Sequence, residues 1–420
     1  NIESADPLPT TAGSLALAAN VTLRDAPVVA KLRDAGAVIL GKTNLSEWAN
    51  IRSSRSTSGW SAVGGLTLNP YSLDRSALGS SSGSGAAAAA SLAAAAIGTE
   101  TDGSVTCPAS VAGLVGVKPT VGLVSRRHVV PISHSQDTAG PMARTVEDAA
   151  LILAVIAGSD PEDPATREAD ARREDYVARL DPESLRGARL GVARFLASGW
   201  EEPVGRAFDE ALKTLLGAGA LLVEVEDDIP LDEISRDEFA VLLCELKANL
   251  RSYLAEAAPG VQVRSLADVI AFNEREADRE LRFFGQELFE SAEASEEDLD
   301  SESYQQARAN ARRLAAEAGI DRLVARHGLD ALVAPTICPA ITIDIVNGDR
   351  IPGAASMLPA VAGYPHVTVP MGQVHGLPVG LSLIGPAWSE ASLLSLAHAF
   401  ERRAQARAPP TFGPRLPHVV

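Results

Sequence analysis

Two serines, 24 positions apart, have the sequence setting that best suits nucleophilic chemistry. Ser80 opens the segment SSSGSG, and Ser104 closes the segment GTETDGS. Glycine-rich turns of this kind let backbone N–H groups approach a substrate closely. A hydroxyl becomes a nucleophile only beside a base, and no histidine lies near either serine in the sequence. The pattern therefore argues against a Ser-His-Asp triad.

The elements around these serines must hold them in place. Ser80 leads directly into the small-residue stretch 86–97, which predicts a close-packing helix and argues against a flexible Gly/Ser linker. The spacing of apolar residues predicts a helix over 25–35, and the short apolar run 37–40 favours a buried strand. Residues 145–157 predict another helix, for which Thr145 is a suitable N-cap.

The second half of the chain alternates strand and helix patterns. Strands are expected near 190–192 and 221–225, separated by a helix at 204–216 that ends before Gly217, and this alternation indicates an α/β fold. Residues 158–187 form a polar connection. The charged region 232–329 is predicted to be mostly helical, with two long helices near 265–290 and 304–326. Two further strands are expected at 329–334 and 366–370.

Composition narrows the range of functions. The chain has 420 residues, of which 46% are hydrophobic and 22% charged, as in ordinary soluble globular proteins. Its net charge of −17 argues against nucleic-acid binding, which needs a basic surface. No apolar run is long enough for a membrane span. Its three cysteines lie far apart and lack metal-ligand spacing, and Cys107, close to Ser104, is interpreted as a packing residue.

Five segments resemble motifs of the amidase signature family and follow one another in the order found in that family. The resemblance is closest to its bacterial peptide amidase branch. The segments are 41–50 (GKTNLSEWAN), 99–104 (TETDGS), 117–126 (VKPTVGLVSR), 135–144 (SQDTAGPMAR) and 363–365 (GYP). The resemblance runs from Asn1 to about Pro409. It implies a single compact α/β domain over 1–420, with a mixed, twisted sheet between helices. Residues 1–157 would be its catalytic core, and 232–329 a variable region on the substrate side.

The resemblance implies hydrolysis of a carboxamide to a carboxylate and ammonia, without a cofactor and without a metal. Ser104 matches the nucleophile, and Ser80 matches a bridging serine on a cis peptide bond. The family's base is a lysine that would lie two residues upstream of Asn1, so the N-terminus is expected to be truncated. Backbone N–H groups of four residues would form the oxyanion hole: Thr101, Asp102, Gly103 and Ser104 itself.

Further residues in or near these segments also have expected roles. Asn50 is a candidate for substrate binding, through a hydrogen bond to a substrate carbonyl. Residues 36–43 match a phosphate-binding loop literally, but the apolar residues between the glycines argue against it, so Lys42 is expected to be structural. Asp137 and Arg144 are expected to form an ion pair or to support a turn. The further expectations are a core position for Trp48 and Trp60 and no metal at His128 and His134.

The substrate remains open at this point. By resemblance it is a C-terminal peptide amide, with a general aliphatic or aryl amidase as one alternative. A second alternative is the glutaminase subunit of a tRNA amidotransferase, which would need partner subunits. A third is a degenerate homologue that binds without catalysis. The expected partner is a small-molecule or peptide amide, with no nucleic acid and no membrane, and the expected state is a monomer or homodimer in a compartment that the sequence does not assign.

Overall fold

The computed structural model describes residues 1–197 and 202–416. Its strands are β1 Trp60–Ser61, β2 Gly65–Leu66, β3 Leu68–Asn69, β4 Ser72–Ser76, β5 Ala95–Glu100, β6 Val115–Lys118, β7 Thr138–Ala143, β8 Arg189–Val192, β9 Leu221–Glu224, β10 Ala331–Pro335, β11 His366–Val374 and β12 Leu377–Ile384. Its α-helices are α1 Pro27–Asp34, α2 Ser82–Ala89, α3 Thr106–Val111, α4 Val146–Ile156, α5 Ala169–Arg172, α6 Glu202–Gly217, α7 Leu231–Ala255, α8 Leu266–Arg275, α9 Ala277–Glu280, α10 Glu287–Ala294, α11 Glu302–Ala315, α12 Arg322–His327, α13 Met357–Ala362 and α14 Glu390–Ala404.

One large mixed sheet forms the centre of the fold. Its eight strands run in the order β5-β7-β6-β11-β12-β10-β8-β9. Neighbours from β5 to β10 are antiparallel, whereas β10, β8 and β9 pair in parallel. The α/β fold expected from the alternation of strand and helix patterns is confirmed, with a mixed sheet between helices.

Helices pack on both faces of this sheet. Helices α4, α6 and α14 bury their apolar sides against β7 and β11, where Val367, Val369 and Met371 alternate along one face as the strand period requires. Helices α2 and α3 pack on the opposite face, in a separate apolar cluster. Helix α2 begins inside the first serine segment, at Ser82, and α3 begins two residues after Ser104, so the packing of these helices on the sheet holds both segments in place.

Several local predictions are confirmed. The helix expected over 25–35 is α1, and the helix expected over 145–157 is α4. Thr145 caps α4 as expected, because its hydroxyl accepts a hydrogen bond of 3.1 Å from the Asp148 N–H. The strands and the helix between 190 and 225 lie where the pattern placed them, as β8, α6 and β9.

The single helix predicted over 86–97 is wrong. Helix α2 ends at Ala89, and β5 begins at Ala95. Strand β5 is bonded along its whole length to β7, with Ala95 opposite Ala143 and Glu100 opposite Thr138. Alanine favours helix by only a few tenths of a kcal/mol per residue, so the ladder of interstrand hydrogen bonds overrides that preference.

The buried strand predicted over 37–40 is also wrong. This segment has no strand partner in the described part of the chain, and the side chains of Val38 and Leu40 are 80% and 72% exposed. The predicted long helix over 265–290 is broken into α8, α9 and α10. The break follows from tertiary contacts, because Glu280 accepts a hydrogen bond of 2.7 Å from the Leu15 N–H, and Phe283 and Phe284 pack edge-on against Trp60.

The helix predicted over 304–326 consists of α11 and α12 with a π-helical segment, Ala316–Asp321, between them. In the charged region the longest helix of the described residues is α7, with 25 residues, which the sequence pattern did not delimit. No helix in the described ranges has both the length and the apolar character that crossing a membrane requires.

Candidate active site

The three consecutive serines after Gly79 have different environments. The peptide bond between Gly79 and Ser80 is cis. Ser80 Oγ is buried and has no hydrogen-bond partner among the described residues. Ser81 Oγ donates to Thr99 O and accepts from Thr99 N, both at 3.1 Å, and Ser82 Oγ donates to Leu78 O. Of these three hydroxyls, that of Ser80 is therefore the one left available for chemistry.

The fold brings Ser80 and Ser104 together. The N–H of Ser81 donates to the carbonyl of Ser104 at 3.1 Å, which joins the two segments directly. The N–H of Ser46 donates to Ser80 O at 3.0 Å and fixes the serine segment from the other side. Ser104 itself is 9% exposed and lies two residues before α3 begins. Two serines 24 residues apart in sequence thus occupy one site.

The turn before Ser104 presents a row of unbonded backbone donors. None of the N–H groups of Thr101, Asp102, Gly103 and Ser104 donates to another described residue. The next two N–H groups, of Val105 and Thr106, donate to Glu100 Oε2 at 2.7 and 2.9 Å. Glycine is required at position 103, because its φ is +75° and a Cβ there would lie 2.8 Å from Cys107 Sγ.

The carboxyl group of Asp102 lies beside this turn. Its Oδ1 is buried without a hydrogen-bond partner in the described chain, and burial raises the pKa of Asp102 to about 6, although a hydrogen bond with the Ser356 hydroxyl lowers it. The same serine contacts the thiol of Cys107, whose pKa burial raises well above its usual value. Cys107 is therefore a packed, un-ionised thiol, in agreement with its interpretation as a packing residue.

The segment Glu47–Asn50 packs next to Gly79 and Ser80. Asn50 Nδ2 donates to Ser58 Oγ at 3.0 Å, whereas Asn50 Oδ1 is buried and has no partner in the described chain. A Cβ on Gly79 would lie 2.9 Å from Asn50 Nδ2, so the amide packs directly against the residue that precedes Ser80. The sequence did not single out Ser58, because nothing distinguishes it from the other serines of the segment 53–58 (SSRSTS).

Two further contacts were not predicted from sequence. Gln136 Nε2 donates to Thr101 O at 3.3 Å and to Glu238 Oε1 at 2.8 Å, which links the turn to α7. Glu238 is 6% exposed, and burial, with Asp102 nearby, raises its pKa well above the usual range. Gln136 lies in the motif 135–144, but Glu238 is one of many acidic residues in the charged region, and no sequence pattern distinguishes it.

Asp137 and Arg144 support separate turns and do not pair with each other. Asp137 Oδ1 accepts from Thr101 Oγ1 at 2.6 Å, and its Oδ2 accepts from the Ile132 and Ser133 N–H groups. Arg144 donates to the carbonyl groups of Ala88 and Ala93, in the bend between α2 and β5. Of the two roles expected for them, the ion pair is wrong and turn support is confirmed.

Lysines near the site have structural partners. Lys42 Nζ donates to Ile2 O at 3.1 Å and to the Thr10 hydroxyl, which agrees with a structural role. Lys118 is buried and donates to Pro119 O at 3.2 Å, and burial lowers its pKa to about 8. Because Ser80 Oγ has no partner among the described residues, neither lysine is bonded to it.

A cavity of about 520 Å³ opens beside Ser80. Ser80 lines it together with Ala49, Thr99, Thr101, His128 and Tyr253. Its size is that of a pocket for a drug-sized ligand. Trp48 and Trp60 are 3% and 5% exposed, which confirms them as core residues. No three His, Cys, Asp or Glu side chains in the described ranges are grouped as metal ligands would be.

Comparisons with known proteins agree with this geometry. A family model described as Amidase matches residues 1–394. The crystal structure of the peptide amidase PAM in complex with the competitive inhibitor chymostatin has a TM-score of 0.92 and 52% identity to this chain, and the match covers 98% of this chain and 83% of that one.

Two curated relatives extend the comparison. A probable amidase of Arabidopsis thaliana is 41% identical over 428 residues, which cover 98% of this chain and 77% of the plant protein. A glutamyl-tRNA(Gln) amidotransferase subunit of Acinetobacter baylyi is 35% identical over 401 residues, which cover 94% of this chain and 79% of the bacterial protein. The chain therefore belongs to the Amidase family, the amidase signature enzymes, and hydrolyses amide bonds.

Proposed function

We propose that this amidase uses Ser104 as its nucleophile and Ser80 as a proton relay to a lysine base. Ser104 Oγ attacks the substrate carbonyl carbon, and its proton passes through Ser80 Oγ to the neutral lysine amine. The proton then returns to the amide nitrogen, the C–N bond breaks and ammonia leaves. Water attacks the acyl-enzyme by the same route, which releases the carboxylate and restores Ser104.

The observation that carries this proposal is the contrast among the three serines. Ser80 Oγ is buried and unbonded next to the Ser104 segment, whereas the hydroxyls of Ser81 and Ser82 are taken up by backbone groups. A relay hydroxyl must be free to accept one proton and to donate another. The unbonded N–H groups of 101–104 are suited to the negative oxygen of the tetrahedral intermediate.

For the substrate we propose a C-terminal peptide amide. The peptide amidase with 52% identity supports this choice. The relative named as an amidotransferase subunit keeps glutamine hydrolysis as a second candidate. A degenerate binding protein is disfavoured, because a scaffold has no need for a buried, unbonded hydroxyl in a costly polar site.

The test is ammonia release by the full-length protein from peptide amides, simple aliphatic and aryl amides and glutamine. We expect peptide amides to have the largest kcat/KM, and Ser104→Ala to lower it roughly 10⁴-fold or more with an unchanged melting temperature. A preference for glutamine would favour the amidotransferase alternative. Full activity of Ser104→Ala would overturn the assignment of the nucleophile.

A further inference from the structure

Six consecutive N–H groups in the turn before α3 fall into two sets. Those of 101–104 donate to no described residue, whereas those of Val105 and Thr106 are bonded to Glu100 Oε2. An oxyanion hole needs donors that are aimed as well as free, because a hydrogen bond weakens steeply as it departs from linearity. The direction of each N–H is set by the carbonyl of its own peptide unit, since the two point in opposite directions across a trans peptide bond.

The backbone of α3 aims the N–H of Ser104. The peptide bonds of this turn are trans. Gly103 O accepts a hydrogen bond from the Cys107 N–H at 2.8 Å, so the Ser104 N–H, in the same peptide unit, points away from that bond. Both partners are backbone groups. The aim of this donor therefore does not depend on any side chain.

A side chain aims the N–H of Asp102 instead. Thr101 O accepts a hydrogen bond from Gln136 Nε2 at 3.3 Å, so the N–H of Asp102, in the same peptide unit, points away from Gln136. A carbonyl oxygen can only accept, so the NH₂ end of the Gln136 amide must face Thr101. Asp137 holds the same residue a second time, because its Oδ1 accepts from Thr101 Oγ1 at 2.6 Å. Thr101 is thus held by its hydroxyl, while Gln136 sets the tilt of the peptide unit that follows.

Gln136 is itself held by helix α7. Its Nε2 donates a second hydrogen bond to Glu238 Oε1 at 2.8 Å, and the two residues are 3% and 6% exposed. Burial raises the pKa of Glu238 well above the usual range, with Asp102 adding to the effect. A carboxyl group keeps an acceptor oxygen whether or not it is protonated. The bond that holds Gln136 therefore does not depend on the charge of Glu238.

The loop that carries Gln136 is tied to the same helix at a second point. Glu245 is fully buried and accepts hydrogen bonds from the N–H and the Oγ of Ser135, at 3.1 and 3.0 Å. It lies seven residues after Glu238, which is about two helical turns, so both carboxyl groups are on one face of α7. Two buried side chains of one helix therefore press this loop, and Gln136 with it, against the turn.

We propose that Gln136 is a positioning residue of the oxyanion hole, which aims the Asp102 N–H at the substrate's carbonyl oxygen, and that Glu238 holds Gln136 in the orientation this requires. The inference rests on the proposed function, because it takes Ser104 as the nucleophile and the N–H groups of 101–104 as the hole.

The chemistry of the step explains which kinetic constant should respond. When Ser104 attacks, the carbonyl oxygen gains negative charge, so a well-aimed N–H stabilises the tetrahedral intermediate more than it stabilises the bound substrate. Loss of Gln136 leaves the Asp102 N–H present but free to tilt. We therefore expect a fall in kcat with little change in KM.

The experiment measures ammonia release from a peptide amide by the full-length protein and its variants. Gln136→Met keeps a similar volume and removes the donor, and it should lower kcat by roughly tenfold to a hundredfold while KM changes by less than about threefold. Glu238→Leu, which leaves Gln136 unheld, should show the same pattern with a smaller loss. Glu238→Gln keeps an acceptor oxygen and should retain most of the wild-type kcat.

A pair of inhibitors separates the aim of the donor from general damage to the site. The Ser104 hydroxyl adds across the C=O bond of a C-terminal peptide aldehyde and gives a tetrahedral hemiacetal, whose former carbonyl oxygen lies in the hole. The matching peptide alcohol has no carbonyl to attack. Gln136→Met should raise the inhibition constant of the aldehyde by roughly tenfold to a hundredfold and that of the alcohol by less than about threefold.

Gln306→Met is the matched control, because Gln306 is exposed and its Nε2 donates to Glu302 Oε1 at 2.7 Å, within α11. It should behave as wild type. Folded Gln136→Met with wild-type kcat, or with equal losses for aldehyde and alcohol, would overturn this inference and leave the proposed function intact.

Melting temperatures identify any variant that is simply unfolded. If Gln136→Met does not fold, the two Glu238 variants decide, and equal kcat values for Glu238→Leu and Glu238→Gln would overturn the inference. If wild type binds the aldehyde no more tightly than the alcohol, Ser104 does not act as the nucleophile, and the proposed function fails together with the inference.

Discussion

At the residue scale, the site depends on which hydroxyls are free. Ser81 and Ser80 are adjacent and chemically identical, yet Ser81 makes two hydrogen bonds to the backbone of Thr99, while Ser80 makes none from its hydroxyl to any described residue. A side chain with two backbone partners is part of the scaffold. A buried hydroxyl without a partner contributes little to stability and is available for proton transfer.

This contrast makes a prediction for a matched pair of variants. Ser80→Ala should lower kcat by roughly 10²- to 10⁴-fold, because a proton relay is lost, and should leave the free energy of unfolding nearly unchanged. Ser81→Ala should lower the free energy of unfolding by about 1–3 kcal/mol, since two buried hydrogen bonds are lost, while the folded enzyme stays active. Ammonia release and urea denaturation measure the two effects. The relay role of Ser80 would be contradicted if Ser80→Ala kept its activity and Ser81→Ala lost it.

At the element scale, the site depends on how closely strands and helices can approach. Strand β5 carries the Thr101–Ser104 turn at its end and pairs with β7, where Gly98 lies opposite Gly140. A Cβ on Gly140 would lie 1.8 Å from Val117 O. A Cβ on Gly98 would lie 2.8 Å from Ser81 Oγ, so neither glycine can gain a side chain without displacing a neighbour. The position of the turn is therefore set by the backbone of β6 on one strand and by the Ser81 side chain on the other.

A pair of glycine substitutions tests this. Gly140→Ala should lower the free energy of unfolding by about 3 kcal/mol or more, because the clash is with backbone that cannot move aside. Gly205→Ala, in α6 with no atom within 4 Å of the new Cβ, should instead raise it by about 0.5–1 kcal/mol. Thermal or urea unfolding gives both values. Tolerance of Gly140→Ala would show that the sheet is less tightly packed there than the distances require.

At the scale of the whole molecule, buried carboxyl groups couple stability to pH. Glu401, in α14, accepts hydrogen bonds from the Val146 N–H at 3.0 and 3.2 Å and so joins the last helix to the start of α4. Burial raises the pKa of Glu401 from 4.5 to about 7, with smaller contributions from Asp148 and Glu147. The folded protein therefore holds this proton more tightly than the unfolded chain does.

The sign of the pH effect follows from that difference. The contribution of protonated Glu401 to stability is fully present below about pH 4.5 and is lost as pH rises to about 7. Glu401→Gln keeps an acceptor and cannot ionise. Its free energy of unfolding relative to wild type should therefore increase by about 1–3 kcal/mol between pH 4 and pH 8.

Urea denaturation across this pH range is the measurement, and Glu302→Gln is the control, because Glu302 is exposed in the first turn of α11. The control should follow the wild-type pH dependence. If the free energies of unfolding of Glu401→Gln and wild type change with pH in the same way, Glu401 does not take up a proton on folding.

The family and the general chemistry could be inferred from the amino-acid sequence alone. The two Gly/Ser segments and four further motifs are contiguous strings, and their residue types reflect local needs such as the left-handed turn at Gly103. Local periodicity also located α1, α4, α6 and the parallel strands β8 and β9. These features depend on neighbours within a few residues, which is the range over which a sequence pattern carries information.

The remaining features depend on partners distant in sequence, so they emerged only from the folded chain. The stretch 86–97 divides into helix and strand because β7 supplies hydrogen bonds to its second half. Glu238, on α7, accepts a hydrogen bond from Gln136, 102 residues away in sequence, and Gln136 in turn contacts the turn before Ser104. The residue types at these positions permit several partners, and the packing of the whole chain selects one.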